Sequence, residues 1–148
     1  MCIRDSLYGL EAESSTRVLQ RNGHKLDLGL SGDYTVARNN DTGRSLPRIP
    51  PLRLRVALDY GYGAYNAGVS VSKAFAQHSR PDNDTATPGY YSLDANAGYR
   101  FKVAAVQWQA YVRGINLTNQ TIRYATSVLR DVAPEGGRAV MVGLRGSF

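Results

Sequence analysis

The segment GYYSLDANAGYRF, residues 89–101, alternates with a period of two. Tyr91, Leu93, Ala95, Ala97, Tyr99 and Phe101 fall on one face, and Tyr90, Ser92, Asp94, Asn96, Gly98 and Arg100 on the other. A period of two is the repeat of a pleated strand, whereas a helix would mix the two sets. One face is apolar and the other is wet. Such a strand fits a soluble sheet packed on a core. It fits equally the wall of a membrane barrel, with lipid outside and water inside.

The same repeat recurs along the chain. YGLEAESSTRV (8–18) sets Tyr8, Leu10, Ala12 and Val18 against Glu11, Glu13, Ser15 and Arg17. Asn22-Gly23 follows, the strongest short hairpin signal, and KLDLGLSGDYTVA (25–37) alternates again. LRLRVALDYGY (52–62), YNAGVSVSKAF (65–75), VQWQAYVRGINL (106–117) and RAVMVGLRGSF (138–148) repeat the pattern. The spacing predicts about seven antiparallel strands and no helix. Short turns near 22–23, 63 and 102–105 alternate with long polar connections at 38–51, 77–89 and 118–136. Bacterial outer-membrane barrels keep that rhythm, and strands of about 10–12 residues suit a tilted crossing. The chain has ten Tyr against three Phe and one Trp. Tyr34, Tyr60, Tyr62, Tyr65, Tyr90, Tyr91 and Tyr99 lie near strand ends, where an aromatic girdle meets the headgroups. The fold expectation is all-β: a segment of an antiparallel transmembrane β-barrel.

Other classes lack a foothold. No apolar run reaches the roughly 18 residues of a membrane helix. The single cysteine, Cys2, gives neither a disulfide framework nor a zinc cluster. The formal net charge of +6 admits anionic partners, but Lys and Arg are scattered rather than clustered with aromatics. Nucleic acid is therefore not expected. Arg53, Arg55, Arg100 and Arg113 lie on polar strand faces, which line the lumen of a barrel. No spacing supports a catalytic triad, a phosphate loop or convergent carboxylates, so neither an enzyme nor a cofactor is expected. His24 and His78, the only histidines, belong to opposite ends of the wall and cannot share one metal. His78, Asp82 and Asp84 are the candidate outer metal site, against the plainer reading of a solvated, turn-rich loop. Residues 1–6, MCIRDS, spell a translated sequencing adapter. Residues 7–148 are accordingly read as the native segment, with the gene continuing upstream.

Five pieces carry a family resemblance: LPRIPPLRL (46–54), TPGYYSLDANAGYRF (87–101), YVRGINLTNQ (111–120), TSVLRDVAPEGGR (126–138) and the final VGLRGSF. In order and spacing they resemble the C-terminal barrel of TonB-dependent outer-membrane receptors, especially those for zinc and other metals. Those receptors often carry His just before the Thr-Ser of TSVLRDVAPEGGR; here Tyr124 and Ala125 stand there. The motif residues are Pro47, Pro50, Asn116, Leu117, Thr118, Asn119, Asp131, Pro134, Gly137 and Arg138.

The resemblance implies a fragment of a barrel of about 22 strands around a plug. It implies a bacterial outer-membrane location and active uptake of a metal or metal chelate (siderophore, haem or zinc). The implied partners are outer-membrane lipid, the barrel-assembly machinery, the chelate, and the TonB complex reached through the missing plug. Val140, Val142, Leu144 and Phe148 would form the barrel-assembly signal, with Gly146 where a bulky residue is usual. Ligand contacts would come from loops 38–51, 77–89 and 118–136. The alternatives are a small autonomous outer-membrane barrel, acting as pore or adhesin, and a soluble all-β binding module. Expressed alone, residues 7–148 are expected in inclusion bodies or dependent on detergent. A soluble, detergent-free monomer on gel filtration would favour the binding module.

Overall fold

The computed structural model describes residues 4–79, 81 and 85–148. Its strands are β1(Asp5–Arg21), β2(His24–Asn39), β3(Arg53–Tyr62), β4(Tyr65–Ala74), β5(Tyr90–Val103), β6(Val106–Ile115) and β7(Ala139–Ser147). They form one seven-stranded sheet in chain order, every neighbour antiparallel. Asp5 and Ser6 continue the first ladder, opposite Asn39 and Arg38.

The hairpin turns follow from backbone preference. Asn22 and Gly23 both have positive φ (50° and 82°), the geometry a two-residue turn needs to match strand twist. Gly63 opens the second turn at φ 54°. The third turn sets Ala104 at φ 54°, a left-handed position where glycine would be expected. These three turns share one end of the sheet. The long connections 40–52, 75–89 and 116–138 share the other.

Register fixes the faces. Val56, Val71 and Leu93 lie in one row across β3, β4 and β5, and Tyr62, Tyr65 and Tyr99 in another. Among the described residues nothing packs on this face: Leu10, Leu30, Val56, Val71, Val142 and Leu144 are all exposed. The buried apolar residues among those described are Ala37, Ala74, Ile122 and Ala125. So broad a bare apolar surface is unstable in water but well solvated by lipid. Its height agrees with that. Tyr65 and Phe75 stand ten residues apart, about 34 Å along the strand and about 24 Å along the membrane normal at a 45° tilt. Tyr60, Tyr62, Tyr65, Tyr99 and Trp108 belt the turn end, and Tyr8, Tyr34, Phe75 and Tyr91 the loop end. His24 stacks on Tyr62 at 4.0 Å and shares a 2.7 Å hydrogen bond with the Tyr60 hydroxyl.

Two expectations change. Tyr90 does not belong to the girdle: it faces the wet side and meets Tyr124 edge-on at 5.9 Å. The alternation in β1 breaks, because the register shifts between Arg17 and Leu19 and leaves Val18 as an extra residue. Leu19, which strict alternation would send to the wet face, then sits opposite Leu26 in the apolar row.

A charge at mid-wall separates the two faces. Val69→Arg in the assembled barrel is expected to cost about 2–4 kcal/mol, measured by urea unfolding from lipid vesicles. Gly61→Arg, on the wet face where an added Cβ meets no atom within 4 Å, is expected to stay within about 0.5 kcal/mol.

Candidate functional site

The motif NLTN (116–119) ends β6 and folds the following loop back over the wet face. Asn116 adopts φ 49°, which Asn tolerates better than most residues, and is 1% exposed. Its backbone N–H donates to Asp94 Oδ1 at 2.8 Å. Its side-chain amide donates to the carbonyls of Gln120 (2.9 Å) and Gly136 (3.3 Å), while its Oδ1 accepts the Gln120 N–H at 3.1 Å. One side chain thus ties the two ends of the loop together. Asn119 repeats the device: its Oδ1 accepts the Arg138 N–H at 3.1 Å. Thr118 donates to the Tyr91 carbonyl (3.3 Å).

Further along, Arg123 donates to the carbonyls of Arg130 (2.8 Å) and Asp131 (3.0 Å). Arg130, nearly buried, donates to the Ala125 carbonyl at 3.1 Å and to both oxygens of Thr85 (3.2 and 3.1 Å). Arg130 therefore joins the third long loop to the second.

Between this loop and the wall lies an open cavity of about 410 Å³. Ser31, Asp33, Arg53, Arg55, Ser72 and Asp94 supply its wall, Tyr90 its rim, and Tyr124 and Glu135 its roof. Arg53 Nε lies 3.0 Å from each oxygen of Asp33. Arg55 reaches the Ser70 hydroxyl at 3.3 Å. Burial, reinforced by the charge of Glu135, raises the Tyr124 phenol above its ordinary pKa. It therefore stays a neutral donor at physiological pH. A smaller wall recess of about 230 Å³ continues toward the turn end, lined by Arg55, Asp59, Asp94, Asn96 and Arg113. Together these surfaces present both charge signs, hydroxyls and two aromatic rings. They suit a polar organic or anionic ligand.

The structure gathers some of the sequence-derived residues and scatters others. Asn116, Leu117, Thr118, Asn119, Gly137 and Arg138 meet in the loop clasp; Leu117 also folds back over Gly114. Pro47 opens a turn whose next residue, Arg48, has φ 62°, and both border a recess shared with Asp131. Asp131 lies 3.8 Å from Arg123 and from Arg130. Pro50 lies beside Tyr124 and Thr126, and Pro134 precedes Glu135, whose N–H donates to the Ile122 carbonyl at 2.9 Å. Of the candidate metal residues, Asp82 and Asp84 lie outside the described residues, and His78 borders a groove with Arg38. No group of three His, Cys, Asp or Glu that could hold a metal occurs among the described residues.

Val140, Val142 and Leu144 line the apolar face of β7, and Phe148 follows it, fully exposed. Gly146 sits opposite Trp108, whose ring lies 3.1–3.3 Å from where a Cβ at Gly146 would be. The ring fills the space that a bulky residue would take. Tyr90, Tyr124, Asp33 and Glu135 were not singled out as site residues. The wet-face period marks Asp33 and Tyr90, and the motif position before Thr126-Ser127 marks Tyr124, but nothing local marks Glu135.

Asn116→Ala removes the clasp and leaves buried carbonyls unpaired, at about 1–3 kcal/mol. The expected readout is faster tryptic cleavage at Arg123 and Arg130 with the strands still folded. Unchanged cleavage would deny the clasp its role.

Residues 4–117 match the family described as TonB dependent receptor-like, beta-barrel. Among solved structures the chain is similar to one titled Copper transporter OprC, with a TM-score of 0.79 and 21% sequence identity. That match covers 96% of this chain and 23% of OprC, so the chain spans under a quarter of that protein's length. At this identity the likeness shows the fold: a partial wall of a larger barrel. The chain belongs to the TonB-dependent receptor family, transporters rather than enzymes, and forms part of the β-barrel that such receptors place in the outer membrane.

Proposed function

We propose that the complete receptor takes up a metal chelate through the outer membrane, driven by TonB acting on a plug domain, and that this segment supplies wall, outer loops and assembly signal. The observation that carries the reading is the cavity roofed by the third loop. Its guanidinium groups, carboxylates and tyrosines suit the organic shell of a chelate. Loops 38–51, 77–89 and 118–136 are the proposed ligand-contacting loops. The copper named for OprC supports the metal class for that protein and motivates it here. His78, with Asp82 and Asp84, remains a proposed capture point for a bare cation. Val140, Val142, Leu144 and Phe148 are proposed to be read by the barrel-assembly machinery, and residues 7–148 to be the native part of the chain.

The test uses the whole receptor in detergent, titrated calorimetrically with iron and copper chelates. Arg55→Gln and Tyr124→Ala are each expected to weaken the bound chelate about 10-fold, the effect of losing one charge-assisted or buried contact. Uptake of the same chelate should vanish in cells lacking TonB. Unchanged affinity in both variants would remove the cavity from the ligand path. Phe148→Ala is expected to lower the amount of folded receptor in the outer membrane without changing affinity in what remains.

A further inference from the structure

We propose, on the reading of the cavity as the chelate site, that its ligand is amphoteric: a chelate that turns both carboxylate oxygens and N–H donors outward, rather than an all-anionic one. Three observations carry this. First, the cavity continues down the wet face. Arg55 and Asp94 are the two residues common to the linings of the outer cavity and of the recess of about 230 Å³ below it. They form a neck between the two. Arg55 reaches the Ser70 hydroxyl at 3.3 Å, and register sets Ser70 directly opposite Asp94.

Second, the charges along this path are balanced and mostly unpaired. Arg53 is paired with Asp33 at 3.0 Å. Arg55, Arg113, Asp59, Asp94 and Glu135 form no ion pair among the described residues. Lys73 also borders the outer cavity, but register puts it on the apolar face, and its ammonium lies 5.9 Å from the Phe75 ring centroid and 5.8 Å from that of Tyr91. The chain's net charge of +6 is therefore absent from this path, where three guanidinium groups meet four carboxylates. A site for an all-anionic ligand gathers cations without counter-charges.

Third, spacing keeps these charges from neutralising one another. Asp59, Gly68, Asn96 and Arg113 occupy one row across β3, β4, β5 and β6. The Asp59 and Asn96 side chains lean over Gly68 from both sides: a Cβ there would lie 2.6 Å from Asp59 Oδ1 and 2.5 Å from Asn96 Oδ1. Asn96 thus stands between Asp59 and Arg113, as Ser70 stands between Arg55 and Asp94. Both pairs stay open to a ligand that offers an acceptor to the guanidinium and a donor to the carboxylate. A ligand with acceptors alone would bring like charge against Asp59 and Asp94.

The test offers the whole receptor, in detergent, three copper(II) chelates built on one ethylenediamine core, with bound copper measured by equilibrium dialysis. The triethylenetetramine complex is dicationic and exposes N–H donors. The EDTA complex is dianionic and exposes carboxylates. The ethylenediamine-N,N'-diacetate complex is neutral and exposes both. The neutral complex is expected to bind about 10-fold more tightly than either of the others, the effect of one added charge-assisted hydrogen bond. Asp59→Asn should shift the ratio of dianion to dication affinity about 10-fold toward the dianion, and Arg113→Gln about as far toward the dication. A merely structural defect would weaken all three chelates alike. Lys25→Gln, on the wet face outside both linings, should leave the ratio unchanged. Tighter or equal binding of either charged complex, shifts in the same direction in both variants, an equal shift in Lys25→Gln, or failure of the neutral complex to bind would each overturn the amphoteric ligand. The chelate site itself stands or falls separately, on the affinities of Arg55→Gln and Tyr124→Ala.

Discussion

The structure depends on one constraint: an apolar sheet face that none of the described residues covers. In water this face would drive aggregation, and in lipid it is at rest. Lipid offers no hydrogen bonds, so every backbone group in the wall has to find its partner in an adjacent strand. In-order antiparallel pairing from β1 to β7 supplies those partners along six ladders, with one register shift in β1. The free sides of β1 and β7 carry the same demand, consistent with a chain that aligns to less than a quarter of a solved relative. Polar side chains are thereby forced to the other face, where charges pair across strands. Arg17 with Asp27 at 2.8 Å and Arg53 with Asp33 at 3.0 Å are examples. Both pairs are partly open to solvent and add little stability; they set the orientation of the wall's charges instead.

The loop end obeys a different rule. There the chain has no lipid and little apolar core, so order comes from hydrogen bonds to backbone. Asn116, Asn119, Arg123 and Arg130 each satisfy carbonyl or amide groups distant along the loop. Ile122 and Ala125 are the small buried patch beneath. This arrangement holds Tyr124 and Glu135 above the wall without a helix or strand to carry them. A rigid sheet thereby presents an ordered roof, and the space between the two is the cavity.

Much of this was legible in the residues, for reasons that can be named. Period two fixes which residues share a face, and Asn22-Gly23 fixes a turn. Strands of about 10–12 residues fix how tall the wall is. Other features were hidden by their physics. The extra residue at Val18 changes no composition, so nothing announces where alternation slips. Ala104 takes a turn conformation that its side chain does not favour. Tyr90 was counted with the girdle by proximity to a strand end, although its own parity sends it to the wet face. The Arg130–Thr85 contact spans 45 positions, beyond the reach of any local pattern. NLTN was visible as a motif, but that Asn116 joins both ends of a 20-residue excursion is a fact of three dimensions.

The last hairpin couples its two strands in an unusual way. Trp108 lies over Gly146 on the lipid side, and Tyr111 lies over Gly143 on the wet side. A Cβ added at Gly143 would collide with the Tyr111 ring, whereas one at Gly146 would press on the Trp108 ring at 3.1 Å and ask it to give by a few tenths of an ångström. Gly143 and Tyr111 are therefore coupled: a larger residue at 143 asks the ring opposite to swing aside or shrink, so the two positions are expected to change together, while Gly146 and Trp108 are coupled more loosely.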